Sequence, residues 1–178
     1  MPAHAAFLRG VNLGPRRRVG SEELRAVFEG IGFEDVATFR TSGNVVFGAR
    51  RKPAGDRIER ELERALGYEV TVFLRSAKEL RAIAERQPFP AKVVDASAGK
   101  LQVLLLPRRP RKRDADGVLA LATDEDRLAF EERELYWLPS GGMRDAALDL
   151  AAVERAVGPT TMRTKGTIDL LAAKYFAD

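Results

Sequence analysis

Cysteine is absent from this chain, and histidine occurs once, at His4. The first absence removes disulfides, thiolate zinc sites, iron–sulfur clusters and cysteine nucleophiles together, and it predicts a cytoplasmic setting. The second leaves no imidazole away from the N-terminus for a Ser-His-Asp triad or a histidine zinc site. Long apolar runs are missing too. None approaches the ~18 residues of a transmembrane span, so no membrane partner is expected. The opening residues Met1 to Ala6 lack a basic stretch and read as the approach to a strand, not as a signal peptide. Neither G-x-x-x-x-G-K-[ST] nor G-x-G-x-x-G occurs, which excludes the standard nucleotide loops. Two acid clusters, Asp124-Glu125-Asp126 and Glu131-Glu132, read as exposed turns, and no carboxylate pair can be assigned to acid–base work. No cofactor and no metal are expected.

What is present is a globular composition. Of 178 residues, 45% are hydrophobic and 31% charged, enough apolar material for a core. The formal charge of +4 is a small excess of 30 basic over 26 acidic residues, and by itself it does not establish nucleic-acid binding.

The organising stretch is Phe7-Leu8-Arg9-Gly10-Val11-Asn12-Leu13-Gly14, an apolar strand that ends in a polar turn. Ser21 is placed to cap a helix whose stripe is Leu24, Val27, Phe28 and Ile31, with Gly32 just past its end. Val36 to Phe39 and Val45 to Phe47 read as a hairpin about Ser42-Gly43-Asn44, residues that tolerate positive φ. Asp56, with Glu59 three residues on, opens a second helix through Ile58, Leu62, Ala65 and Leu66. Val70 to Leu74 is a fourth strand. The order β-α-β-β-α-β over residues 1–75 is the ferredoxin-like pattern. Strand one and strand two both run toward the same end of the sheet. The Arg9–Gly14 turn and the Thr41–Asn44 turn are therefore predicted to meet there.

The second half, 76–178, reads as a looser version of the same unit. Ser76 with Glu79 is a capping box. Leu101 to Leu106 is an apolar strand, followed by the basic, proline-stiffened loop Pro107 to Arg113. Asp114 is expected to cap a short helix. Leu128 to Glu131 and Leu135 to Leu138 form a hairpin about Glu132-Arg133, with Tyr136 and Trp137 as packing. Ser140-Gly141-Gly142 reads as a loop. Asp149 caps a helix that ends at Gly158, and a polar segment, Thr160 to Thr167, leads into a last helix. The fourth strand of this unit is expected to be weak or missing. The fold class is therefore α+β: two tandem ferredoxin-like units, the second irregular, with a C-terminal helix.

Three stretches together resemble the bacterial family called domain of unknown function 1697. They are Leu8-Arg9-Gly10-Val11-Asn12-Leu13-Gly14, Ser42-Gly43-Asn44-Val45-Val46-Phe47 and Thr161-Met162-Arg163-Thr164-Lys165-Gly166-Thr167-Ile168. In the third, Thr164 and Gly166 stand where the family pattern has asparagine. The resemblance implies two tandem ferredoxin-like units and no particular activity.

The candidate ligand-binding residues are Arg9, Gly10, Asn12, Gly14, Ser42, Gly43 and Asn44, with Arg163 and Thr167 from the last polar segment. Arginine pairs bidentately with phosphate or carboxylate, asparagine donates and accepts, and glycine admits close approach to the backbone. Each also has a purely structural use, as a turn, an Asx bond or a helix cap. Arg16-Arg17-Arg18 stands just ahead of a helix N-terminus, where an anion bound between them and the helix amides would resolve the charge conflict. The expected function is non-catalytic binding of an anion, a phosphorylated small molecule or a nucleic-acid backbone. The alternatives are an enzyme acting on a phosphorylated small molecule and an assembly module that pairs through sheet edges. The basic loop Arg108 to Arg113 supports nucleic acid only weakly, since no aromatics interleave it. The sequence leaves the oligomeric state open.

Overall fold

The computed structural model describes residues 1–40, 43–141 and 148–177. It contains two four-stranded antiparallel sheets and, among the described residues, seven α-helices. By contacts the chain divides into two compact units, Met1–Ile83 with Leu170–Asp178, and Ala84–Asp169.

The first unit begins with β1 (His4–Arg9), whose residues Ala5, Ala6, Phe7 and Leu8 are all buried. A strand buried on both faces reads as a continuous apolar run, as this one does. Helix α1 (Ser21–Ile31) buries Leu24 and Phe28 and ends on Gly32, whose left-handed φ lets its N–H reach Glu29 O at 2.9 Å. Gly20 occupies the N-cap position, so Ser21 is the first helical residue and does not cap. Strands β2 (Glu34–Thr38) and β3 (Asn44–Gly48) form the expected hairpin. Helix α2 (Gly55–Leu66) starts one residue before Asp56, so the anticipated capping box does not form. Asp56 instead pairs with Arg60 at 3.0 Å, and Glu59 accepts the Val72 N–H at 2.9 Å, tying α2 to β4 (Thr71–Ser76).

The sheet order is β2-β3-β1-β4. Alternation along the strands sends Ala6, Leu8, Val45 and Phe47 into one core with Leu24, Phe28, Ile58 and Leu62 of the two helices. The Phe47 ring lies 5.3 Å from Phe28 and 4.3 Å from Phe33. Residues from the end of the chain complete this unit. Tyr175 meets Phe39 edge-on at 6.2 Å, and Arg81 Nη1 donates to Phe176 O at 3.1 Å.

Helix α3 (Ala77–Glu85) opens with the expected capping box: the Ser76 N–H donates to Glu79 Oε2 at 2.8 Å, and the Glu79 N–H donates to Ser76 Oγ at 3.3 Å. A short helix, α4 (Ala91–Ala96), follows with Pro90 at its N-cap, an element beyond those read from the sequence. The second unit then runs β5 (Gln102–Leu105), α5 (Lys112–Leu119), β6 (Asp126–Glu131), β7 (Glu134–Pro139), α6 (Leu150–Val157) and β8 (Thr161–Thr164), and α7 (Lys165–Tyr175) comes last. Helix α5 begins two residues before Asp114, with Arg111 at the N-cap. Asp149 caps α6 as expected, accepting the Ala152 N–H at 2.9 Å.

The fourth strand of the second unit, expected to be weak or missing, is a correction. The sheet order of that unit, β6-β7-β5-β8, repeats that of the first, and the polar segment Thr160 to Thr167 supplies the fourth strand. Thr161-Met162-Arg163-Thr164 has no apolar alternation of its own. Its extended form comes from pairing with β5, in which Val103 stands opposite Arg163 and Leu104 opposite Met162. Asp126 is a second correction. It is buried, not an exposed turn residue, and its carboxylate accepts the Trp137 indole N–H at 2.8 Å. Gly142 of the expected loop lies outside the described residues. Among the described residues, no helix is long and apolar enough to cross a membrane.

Candidate functional site

The two turns meet. The Leu8 N–H, near the end of β1, donates to Gly43 O of the β2–β3 hairpin at 2.8 Å. Gly43 is required by space as well as by its φ of 75°. A Cβ there would stand 2.7 Å from Val11 Cγ2 and 3.1 Å from Leu8 Cβ. Asn44 is 1% exposed and closes the hairpin from inside, its Nδ2 donating to Phe39 O at 2.9 Å while the Phe39 N–H donates to Asn44 O at 2.9 Å.

The loop after β1 is held by its own asparagine. Asn12 has φ 56°; its N–H donates to Arg17 O at 2.6 Å, and its Oδ1 accepts the Val19 N–H at 3.0 Å. A single 3-10 turn, Pro15–Arg17, lies within this closed loop. The Arg17 guanidinium rests over the Tyr68 ring at 5.2 Å, and the Tyr68 hydroxyl donates to Arg17 O at 3.1 Å. Asn12 therefore spends its carbonyl oxygen on loop geometry, which fixes the loop against α1.

Between loop and hairpin lies a cavity of about 650 Å³. Its walls are Asn12, Gly14 and Arg18 from the loop, Val19, Gly20, Ser21 and Leu24 from the start of α1, and Thr38, Arg40, Gly43 and Asn44 from the hairpin. Gly20, the N-cap of α1, makes no side-chain cap, and with Ser21 and Leu24 it brings the positive end of the helix dipole to this wall. Arg40 takes a left-handed φ of 58° and lies 5.6 Å from the Phe39 ring. Among the described residues the wall holds no carboxylate, imidazole, thiol or amine.

Of the expected site residues, Asn12, Gly14, Gly43 and Asn44 share this cavity. Arg9 and Gly10 do not line it. Arg9 is exposed and, by strand alternation, faces away from Leu8 and the helix-side core. Gly10, with φ 97°, packs its Cα against Glu69 O, which a Cβ would approach to 3.2 Å. Ser42 lies outside the described residues. Arg163 and Thr167 belong to the other unit and have local uses there. Arg163 Nη1 donates to Thr161 Oγ1 and Met162 O, each at 2.8 Å, and burial pulls the guanidinium pKa down to about 10. The Thr167 N–H donates to Thr164 Oγ1 at 3.2 Å, capping α7. Sequence reasoning singled out Arg18 within its arginine triplet but missed Arg40. The available signal was its place two residues before the Ser42-Gly43-Asn44 turn.

Among the described residues no group of histidine, cysteine and carboxylates could hold a metal ion. What the cavity offers is two arginines, hydroxyls and a helix start set in a mostly apolar wall, on an α+β scaffold of two like-ordered sheets. The chain belongs to the family described as "Protein of unknown function (DUF1697)", whose model matches residues 1–136. Its fold is similar to that of a solved structure, conserved bacterial protein SP0830 from Streptococcus pneumoniae. The two share 21% identity over 98% of each chain, with a TM-score of 0.69. No curated protein matches the chain.

Proposed function

We propose that the protein binds a phosphorylated small molecule in the cavity between the β1–α1 loop and the β2–β3 hairpin, and that it does not transform it. The observation that carries this reading is the pairing of Arg18 and Arg40 with the uncapped start of α1 in one wall. Guanidinium forks match phosphate oxygens, and a helix N-terminus adds amide donors and positive potential. At about 650 Å³ the cavity has the size of small-molecule sites and exceeds the needs of inorganic phosphate alone. The phosphate would therefore be one end of a larger ligand, with Val19 and Leu24 taking an apolar part. Among the described residues the wall has no acid–base group, which favours binding over catalysis.

The ferredoxin-like reading of each unit belongs with this proposal. It is supported by the order β-α-β-β-α-β and by the shared sheet order, second strand, third, first, fourth. In sequence the two repeats are taken as 1–75 and 76–178, with Ser76 at the changeover.

The test is a thermal-shift and calorimetric panel at fixed ionic strength, using inorganic phosphate, mononucleotides and sugar phosphates. A ligand at a hundred times its dissociation constant should raise Tm by roughly 5–10 °C, from about 2.7 kcal/mol of linkage. At the same ligand concentration the gain should fall to about half or less in folded Arg40→Gln, about 0.4–1.4 kcal/mol for a ten- to hundred-fold loss of affinity. A flat response to every phosphorylated compound at millimolar concentration defeats the proposal.

A further inference from the structure

Strand register shows that the corner holding the first cavity occurs twice. Ala5 of β1 stands opposite Val46 and Arg75, and Val103 of β5 stands opposite Tyr136 and Arg163. This correspondence aligns Leu8 with Leu106. At both leucines the backbone N–H reaches across to the neighbouring hairpin: Leu8 to Gly43 O at 2.8 Å, and Leu106 to Arg133 O at 2.9 Å. Each leucine then leads into a segment of proline and arginine at the start of a helix, Pro15-Arg16-Arg17-Arg18 ahead of α1 in one unit, and Pro107 to Arg111 running into Lys112 and Arg113 of α5 in the other.

The two corners diverge in what they present. In the first unit Asn12 folds the loop back and encloses a cavity. In the second, Pro107 and Pro110 restrict the chain, and the cations stand in solvent. The side chains of Arg109, Arg111, Lys112 and Arg113 are 72% to 88% exposed. Arg133, from the hairpin tip, donates to Pro107 O at 3.3 Å and joins the same patch. Six cations, Arg108, Arg109, Arg111, Lys112, Arg113 and Arg133, stand with four acids, Asp114, Asp116, Glu132 and Glu134, the last accepting the Arg133 N–H at 3.3 Å. The corner thus carries an excess of two cations over acids. The ion pairs here, such as Lys112 with Asp116 at 2.6 Å and Arg109 with Glu132 at 3.5 Å, are solvent-exposed, and pairs of that kind contribute little stability. They can be exchanged for phosphate contacts at small cost.

We propose that this second corner binds the phosphodiester backbone of double-stranded nucleic acid without regard to sequence. Backbone contact needs cations on a stiff, exposed loop, and proline supplies the stiffness before binding. Single strands are held largely by stacking on aromatic rings, and residues 107–113, 132 and 133 include none. The patch is independent of the first cavity in residues and in ligand.

The experiment uses the full chain with fluorescently labelled 20-base-pair DNA and RNA duplexes, read by anisotropy from 50 to 200 mM salt. With about three phosphates neutralised, the slope of log affinity against log salt should be about −2.7, a loss of roughly forty-fold over that range. The triple variant Arg108→Gln/Arg109→Gln/Arg113→Gln changes only exposed side chains. It should keep its circular dichroism and lose at least ten-fold in duplex affinity. Arg40→Gln should bind duplex as the parent does, so that failure here and failure of the small-anion site are told apart. The proposal is overturned by any of three results: no duplex binding at 50 mM salt, a triple variant that binds like the parent, or stronger binding to single strands or to phosphatidylserine vesicles than to duplex.

Discussion

The Trp137 indole N–H donates to Asp126 Oδ1 at 2.8 Å across the β6–β7 hairpin, and the two residues are 0% and 2% exposed. A buried carboxylate is thereby joined to the chain's single tryptophan. Removing one partner strands the other without water. Asp126→Ala should therefore cost about 1–3 kcal/mol, or roughly 2–12 °C in Tm. Asp126→Asn keeps an acceptor oxygen and should lose less. Thermal unfolding followed by tryptophan fluorescence checks both, and equal losses in the two variants would show that the indole bond is not the source.

Gly43 is the second test of packing. A methyl group there meets Val11 Cγ2 at 2.7 Å on a backbone with φ 75°. Gly43→Ala should destabilise by about 1–3 kcal/mol through strain and displacement of the β1 loop. Denaturant unfolding measures this. A change within 0.5 kcal/mol would mean that the loop yields freely.

At the cavity, Arg18→Gln and Arg40→Gln should each weaken phosphate-ligand binding about ten- to hundred-fold, the worth of one charge-assisted hydrogen bond. Stability should stay near that of the parent, because both side chains are exposed. Arg9→Gln should change binding less than two-fold, since Arg9 does not line the cavity. Calorimetry on the three variants decides, and a larger loss at Arg9 than at Arg40 would move the site to the other face of the sheet.

His4 stacks on Phe47 at 5.7 Å, and burial holds its imidazole pKa below the usual value, with Glu79 pulling weakly the other way. The unfolded chain then binds the proton more readily than the folded one. Stability should be full above pH 6.5 and fall as pH drops through and below that value. Comparing Tm at pH 7.5 and 5.5, His4→Asn should lose less than the parent. Identical losses would assign the whole decline to other groups.

How far the fold could be read in advance follows from where its information lies. Leu24, Phe28, Ile58 and Leu62 announce their helices because one face of each is apolar at helical spacing, and the buried run Ala5 to Leu8 announces a strand. The convergence of the Asn12 and Gly43 turns follows from strand direction alone. Strand β8 was illegible because Thr161 to Thr164 takes its conformation from β5, a partner about sixty residues earlier in the chain. The N-caps at Gly20 and Ala54 displaced Ser21 and Asp56 because tertiary placement of each helix outweighed a cap worth about 1 kcal/mol. Arg40 enters the cavity only through a left-handed backbone, which composition does not disclose.

Tyr175 and Phe176 pack with Phe39 and Arg81 in the unit that also contains β1. That unit is discontinuous in sequence, and during synthesis its later segment emerges only after all of Ala84–Asp169 has been made. Domains generally fold from the N-terminus as they appear, but here one segment of the earlier unit is made after the later one. A nascent chain stalled anywhere between α3 and α7 would expose Phe39 without its aromatic neighbour. The Phe39–Tyr175 and Arg81–Phe176 contacts of the first unit can therefore form only after the second unit has been synthesised.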